Sequence, residues 1–103
     1  MTHVLDQRPL PDGWIDVTPR EARRLLAQLW REQPRQSILS TLNNLRVVAR
    51  AGGSDDILCR ADAVIPVFFV AHLTWGPPAE RTDDNLYPVE TVQDLIDTIG
   101  PLD

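Results

Sequence analysis

Two histidines occur in this 103-residue chain: His3 in a stretch without periodicity, and His72 near the end of the longest apolar run, Val64–Trp75. A carboxylate beside an imidazole fixes one tautomer and leaves the second ring nitrogen free to act as acid or base. Asp55 and Asp56 are the nearest carboxylates in the pattern, and Trp75 would stand by them as a stacking wall. The same contact also serves a structural histidine. A Cys59–His72 nucleophilic pair is excluded on spacing: in the register below, Cys59 faces Pro66, and His72 lies on the order of 20 Å further along the strand. Cys59 reads instead as a small buried apolar side chain. The acids Asp55, Asp56, Asp62, Asp83 and Asp84 lack the spacing of a calcium loop, and no Cys/His cluster suits zinc. Gly52-Gly53 is too short to cradle phosphate. No catalytic set is complete, and neither a metal nor another cofactor is implied.

The totals narrow the setting. The length suits a single domain spanning 1–103, able to bury about two thirds of its unfolded surface. Net charge is −5, split unevenly: residues 1–51 hold eight Arg against five acids, and residues 52–103 hold two Arg against ten. A chain tracking nucleic-acid phosphates would show the opposite balance. The apolar runs are too short for a bilayer, and none sits at the N-terminus behind basic residues, which argues against an anchor or a secretory signal. A lone cysteine rules out an internal disulfide framework, so a reducing, cytoplasmic setting is expected.

The elements that must position His72 follow from periodicity. Residues 1–17, with Pro9 and Pro11, form an irregular arm that Trp14, Ile15 and Val17 pin to the body. Thr18 can cap a helix, Pro19 suits its first position, and Glu21 stands where a capping box needs its acid. Ala22, Leu25, Leu26, Leu29 and Trp30 recur at helical spacing, predicting a helix over 19–33 that ends at Pro34. Arg20, Arg24 and Arg31 fall opposite that stripe, with Arg23 on its flank, as a solvated face or a basic ridge. Residues 37–44, with Ile38, Leu39 and Leu42, fit either a helical turn or an approach to a strand. Strands follow over 45–50, 57–61 and 64–75, the first pair joined by the Gly52-Gly53 turn, the second by Asp62-Ala63. Short connections favour an antiparallel meander. Pro66 cannot donate to a ladder and belongs near an edge or an unpaired position. Gly76-Pro77-Pro78 ends the third strand. Residues 79–90 form an acidic loop with Asp83 and Asp84 exposed and Leu86 and Tyr87 tucked down. A second helix spans 91–99 behind a Thr91 cap and stops at Gly100-Pro101; alternatively Val89–Val92 adds a short fourth strand. The class is α+β: N-terminal helix, a three- or four-stranded antiparallel meander, C-terminal helix.

A two-residue turn at 62–63 puts Ala61 opposite Val64, and the Gly-Gly turn puts Arg50 opposite Ile57. One face then holds Arg46, Val48, Arg50, Ile57, Cys59, Phe68, Val70 and His72, with Asp55 the diagonal neighbour of His72. The other face, from Leu45 and Val47 through Leu58 to Phe69, Leu73 and Trp75, is nearly all apolar and belongs under the first helix. A slip of one residue would exchange the faces.

The Asp55-Asp56-Ile57-Leu58 segment, the Val70–Trp75 segment with its His-Leu-Thr-Trp, and Tyr87-Pro88 together resemble a group of small, uncharacterised bacterial proteins. The likeness covers about 45–99. It departs at Ala71, where a larger β-branched residue is usual, and at Pro66 inside the strand. It implies a bacterial cytosolic origin and carries no activity, ligand or catalytic residue. Two functions are expected from the residues themselves. One is a small interaction module, of regulatory or immunity type, that binds another protein through Arg46, Arg50, Phe68, Val70 and His72 or through the acidic loop; a mixed apolar and Arg surface suits such a role. The other is a small enzyme or ligand binder around His72, Asp55 or Asp56, and Trp75, which needs a concavity at that end of the sheet.

Overall fold

The computed structural model describes residues 3–32, 41–62, 66–73, 75 and 86–99. A single 3₁₀ turn over Val4–Asp6 comes first, then β1 (Trp14–Asp16), α1 (Pro19–Glu32), β2 (Asn43–Ala51), β3 (Asp56–Asp62), β4 (Val67–His72), β5 (Leu86–Val89) and α2 (Val92–Ile99). The strands form one antiparallel sheet in chain order, β1-β2-β3-β4-β5. The α+β class stands, with five strands where three or four were expected. The two additions lie inside the segments read as an irregular arm and an acidic loop. The first helix therefore follows a strand instead of opening the fold, and both a strand at Val89 and a helix from Val92 form. The expectations for Pro34, Ile38, Leu39, Val64, Ile65, residues 76–85 and Gly100-Pro101 lie outside the described residues.

α1 begins as its sequence dictates. The Thr18 hydroxyl accepts the Glu21 N–H at 3.1 Å, satisfying one of the donors that a helix start leaves open. The Glu21 carboxylate turns away from the capping box to Arg50, 3.3 Å from its Nε. Leu25 and Leu29 are buried against the sheet, while Trp30, at the edge of the stripe, is 42% exposed. α2 is capped reciprocally at its N-terminus: Thr91 Oγ1 accepts the Asp94 N–H, and the Asp94 carboxylate accepts the Glu90 and Thr91 N–H groups.

Two departures from the expected register decide where every site residue points. Ala61 pairs with Val67, and Asp56 with His72, a slip of three residues from the two-residue turn. Three is odd, so β3 is turned over relative to β4. Ile57 and Cys59 join Phe69, Ala71 and Leu73 under α1, while Leu58 joins Phe68 and Val70 on the other face. Pro66 lies just ahead of β4, where a missing N–H costs the ladder nothing. The second departure is a bulge in β2 between Val47 and Ala49. Leu45 and Val47 face α1; beyond the bulge Ala49 and Ala51 face the opposite side. Arg50 is thereby delivered to α1, although it pairs with Ile57 as expected.

Both faces are covered. α1 closes one; the N-terminal arm and α2 close the other, where Leu5, Trp14 and Leu95 pack with Leu58, Phe68 and Val70. The Trp14 indole N–H donates to the Leu95 carbonyl at 3.1 Å, and the His3 ring lies 4.7 Å from that of Phe68. Arg60, on this covered face of β3 between Asp56 and Asp62 at the strand ends, donates to Asp6 at 2.9 Å and to Asp62 at 2.7 Å. Trp14 and Val17 pin the arm as expected, but Ile15 is 44% exposed. Among the described residues no helix is long and apolar enough to cross a membrane.

Candidate functional site

The end of the sheet where β2 turns into β3 and β4 stops gathers the polar side chains. Asp56 opens β3 directly opposite His72, which closes β4, and the His72 Nδ1 lies 2.9 Å from Asp56 Oδ1. A carboxylate accepts, so Nδ1 carries the proton in this pair, and in the neutral imidazole the lone pair is then on Nε2. Ser54 Oγ donates to the other Asp56 oxygen at 3.0 Å. Hydroxyl, carboxylate and imidazole thus stand in a row with the carboxylate in the middle. A serine nucleophile needs the imidazole in the middle, so this row is not a hydrolytic triad. His72 opens on a hollow of about 430 Å³ lined with Asp56, Tyr87, Asp97 and Thr98.

Trp75 lies beyond His72, on the α1 side of the same end. The strand expected through residue 75 ends at His72, and Trp75 has φ 59, the left-handed region that side chains other than glycine seldom occupy. It therefore leaves the inward row it was expected to end and stands 47% exposed. Three contacts hold it there. Its backbone N–H donates to Glu32 Oε2 at 3.0 Å, its indole N–H donates to Asp55 Oδ1 at 3.1 Å, and the Arg24 guanidinium lies over the ring at 5.7 Å. Between this indole and α1 is a cleft of about 290 Å³, its rim formed by Glu21, Arg24, Arg50, Ser54 and Asp55, with Leu25, Ile57 and Leu73 among its lining. The Arg50 Nε within it is buried and has no hydrogen-bond acceptor; the Glu21 contact is not aligned for one.

The seven residues expected to bind are thus divided. Asp55 and Trp75 meet on the α1 side of this end, where the bulge also brings Arg50, while His72 pairs with Asp56 and opens on the separate hollow of the α2 side. Arg46 is exposed on the other side of β2, opposite Arg60. Phe68 and Val70, expected on an open mixed face, are core residues, 4% and 0% exposed. Tyr87, expected to be tucked down, is exposed, while Leu86 packs on the α1-side cluster. Cys59 faces the helix side, fully buried. It pairs with Phe69, so strand face as well as spacing separates it from His72. Burial pushes its thiol pKa up, away from thiolate chemistry. Arg24 and Ser54 were missed as site residues. Arg24 was visible only as one of several exposed arginines, and Ser54 only as part of a turn. Among the described residues, no three His, Cys, Asp or Glu side chains are grouped to hold a metal ion.

Comparison with protein-family models, with curated proteins and with solved structures returned no match.

Proposed function

We propose that this protein is a binding module for another protein, of regulatory or immunity type and acting in the cytoplasm, and that it recognises its partner with the Trp75 end of the sheet. The observation that carries this reading is Trp75 itself. A half-exposed indole in a left-handed backbone costs about 1–2 kcal/mol of backbone energy, and strain of this kind gathers at functional positions. Three polar contacts fix its orientation in advance, which lowers the entropy lost on binding. Tryptophan and arginine are also the side chains that most often anchor protein interfaces. The sheet faces are occupied by the protein's own helices and arm, so the partner surface moves from the mixed face to this end.

The test is comparative capture from the native cell with tagged wild type, Trp75→Ser and Val67→Ser, the last altering an exposed apolar residue elsewhere. A partner retained by wild type and Val67→Ser but lost by Trp75→Ser is expected. An identical set of partners on all three proteins overturns the reading.

A second reading has its own observation: the His72 Nε2 beside the 430 Å³ hollow. With Asp56 holding Nδ1, that nitrogen is placed to accept a proton or hydrogen bond from a small molecule. Substrate-like ligands that perturb the His72 ring resonances, and lose that effect in Asp56→Asn, would favour it.

A further inference from the structure

We infer that the cleft between Trp75 and α1 receives an acidic side chain from the partner; this rests on the binding reading above. The groups left over in the cleft are donors. Asp55 is engaged by the Trp75 indole N–H and Asp56 by Ser54 and His72, while Glu21 is the ion-pair neighbour of Arg50, 3.3 Å from its Nε without a hydrogen bond. Arg24, by contrast, makes only its contact with the Trp75 ring among the described residues, and Arg50 keeps an Nε with no acceptor. A buried donor without an acceptor is uncommon in a finished structure, and a guanidinium fork is matched by the planar oxygens of a carboxylate.

Size and charge narrow the class. At about 290 Å³ the cleft is at the small end of the range for ligand pockets, about 300–1,000 Å³. That is room for one side chain and too little for a nucleotide. A phosphate would bring up to two negative charges beside Glu21, Asp55 and Asp56, and so meet more repulsion than a single carboxylate does. The Trp75 ring and the Leu25, Ile57 and Leu73 lining suit the methylene stem or flat neighbour that carries the acid.

The experiment is a titration followed by the nitrogen-15 resonances of the Trp75 indole N–H and the Arg50 Nε–H. The probes are the blocked pentapeptide acetyl-Ala-Glu-Phe-Glu-Ala-amide, its Gln-for-Glu counterpart, benzoate and inorganic phosphate. Saturable shifts with the Glu peptide and none with the Gln peptide are expected. Arg50→Gln should weaken binding by about tenfold or more, and Glu21→Gln, which releases Arg50 without removing it, should tighten it. The inference is overturned by silence with the Glu peptide, by an equal response to the Gln peptide, or by tighter binding of phosphate or benzoate than of the peptide. Unchanged affinity in a folded Arg50→Gln protein also overturns it. The wild-type probe series and Glu21→Gln keep the question open to refutation if Arg50→Gln does not fold. If Trp75→Ser loses a captured partner while the peptide is silent, the binding surface stands and the acidic ligand falls; the opposite pair of results separates them the other way.

Discussion

At the scale of single residues, Trp75 divides stability from function. Replacing it by glycine removes the left-handed strain, about 1–2 kcal/mol. The same change forfeits the Arg24–indole contact, about 0.5–1 kcal/mol, and the Asp55 hydrogen bond, about 0.5–1.5 kcal/mol. Glycine also adds freedom to the unfolded chain, about 0.5–1 kcal/mol. These terms offset, so urea denaturation of Trp75→Gly should give a stability within about 1 kcal/mol of wild type, while partner binding is lost. A loss of several kcal/mol would make Trp75 a packing residue after all. Strand alternation could not place this side chain, because alternation holds only while the strand does, and the backbone leaves it after His72. The choice between Asp55 and Asp56 was likewise a matter of parity. Once the β3–β4 pairing slips by an odd number of residues, the carboxylate facing His72 changes from one to the other.

At the scale of elements, the helices were legible and the sheet only partly so. α1 and α2 each combine a capping residue with apolar side chains three and four positions apart, and both signals are local. Sheet register depends on loop length and bulges, which are not. The bulge at Val48 falls where the apolar-basic alternation of Leu45–Arg50 lapses into three apolar residues in a row, Val47-Val48-Ala49, and β1 is a strand only because β2 extends to Ala51 to pair with it. The arm that continues from β1 back to Leu5 is clamped by the Asp6–Arg60–Asp62 cluster, and this clamp has a pH dependence. Burial alone would raise the Asp6 pKa, but the His3 N–H and the Arg60 guanidinium outweigh it and hold the carboxyl below its ordinary value. A carboxyl lowered in the folded state contributes stability above its unfolded pKa, near 4, and that contribution is lost as pH falls through the lowered value. Asp6→Asn should therefore cost about 1.5–3 kcal/mol at pH 7, the range for hydrogen bonds to a charged partner, and much less at pH 2. Urea titrations at the two pH values check this; an equal cost at both would assign the loss to shape rather than to charge.

At the scale of the molecule, the sheet is a partition. Leu25, Leu29, Ile57 and Phe69 form a core on its α1 side, and Leu5, Trp14, Phe68, Val70 and Leu95 form another on its arm side. The uneven charge of the chain follows this build only loosely. In the Arg-rich first half Arg8 pairs with Asp16 and Arg50 with Glu21, both within that half, while Arg60 of the acidic half reaches back to Asp6. Cores separated by a backbone layer share few side-chain contacts, so substitutions in them should act independently. Ile57→Val, on the α1 side, should cost about 0.5–1.5 kcal/mol and Leu5→Ala, on the arm side, about 2–5 kcal/mol. The double variant should then equal the sum to within about 0.5 kcal/mol, with tryptophan fluorescence and circular dichroism reporting one shared transition. With Trp30 and Trp75 replaced by Phe, fluorescence would follow the arm side through Trp14 and dichroism the whole sheet, so separated transitions in Leu5→Ala would mean that the arm and α2 detach before the sheet melts. In that case the Trp75 end, built from α1, β2, β3 and the exit from β4, would outlast the arm, because no residue lining its cleft comes from the arm or α2.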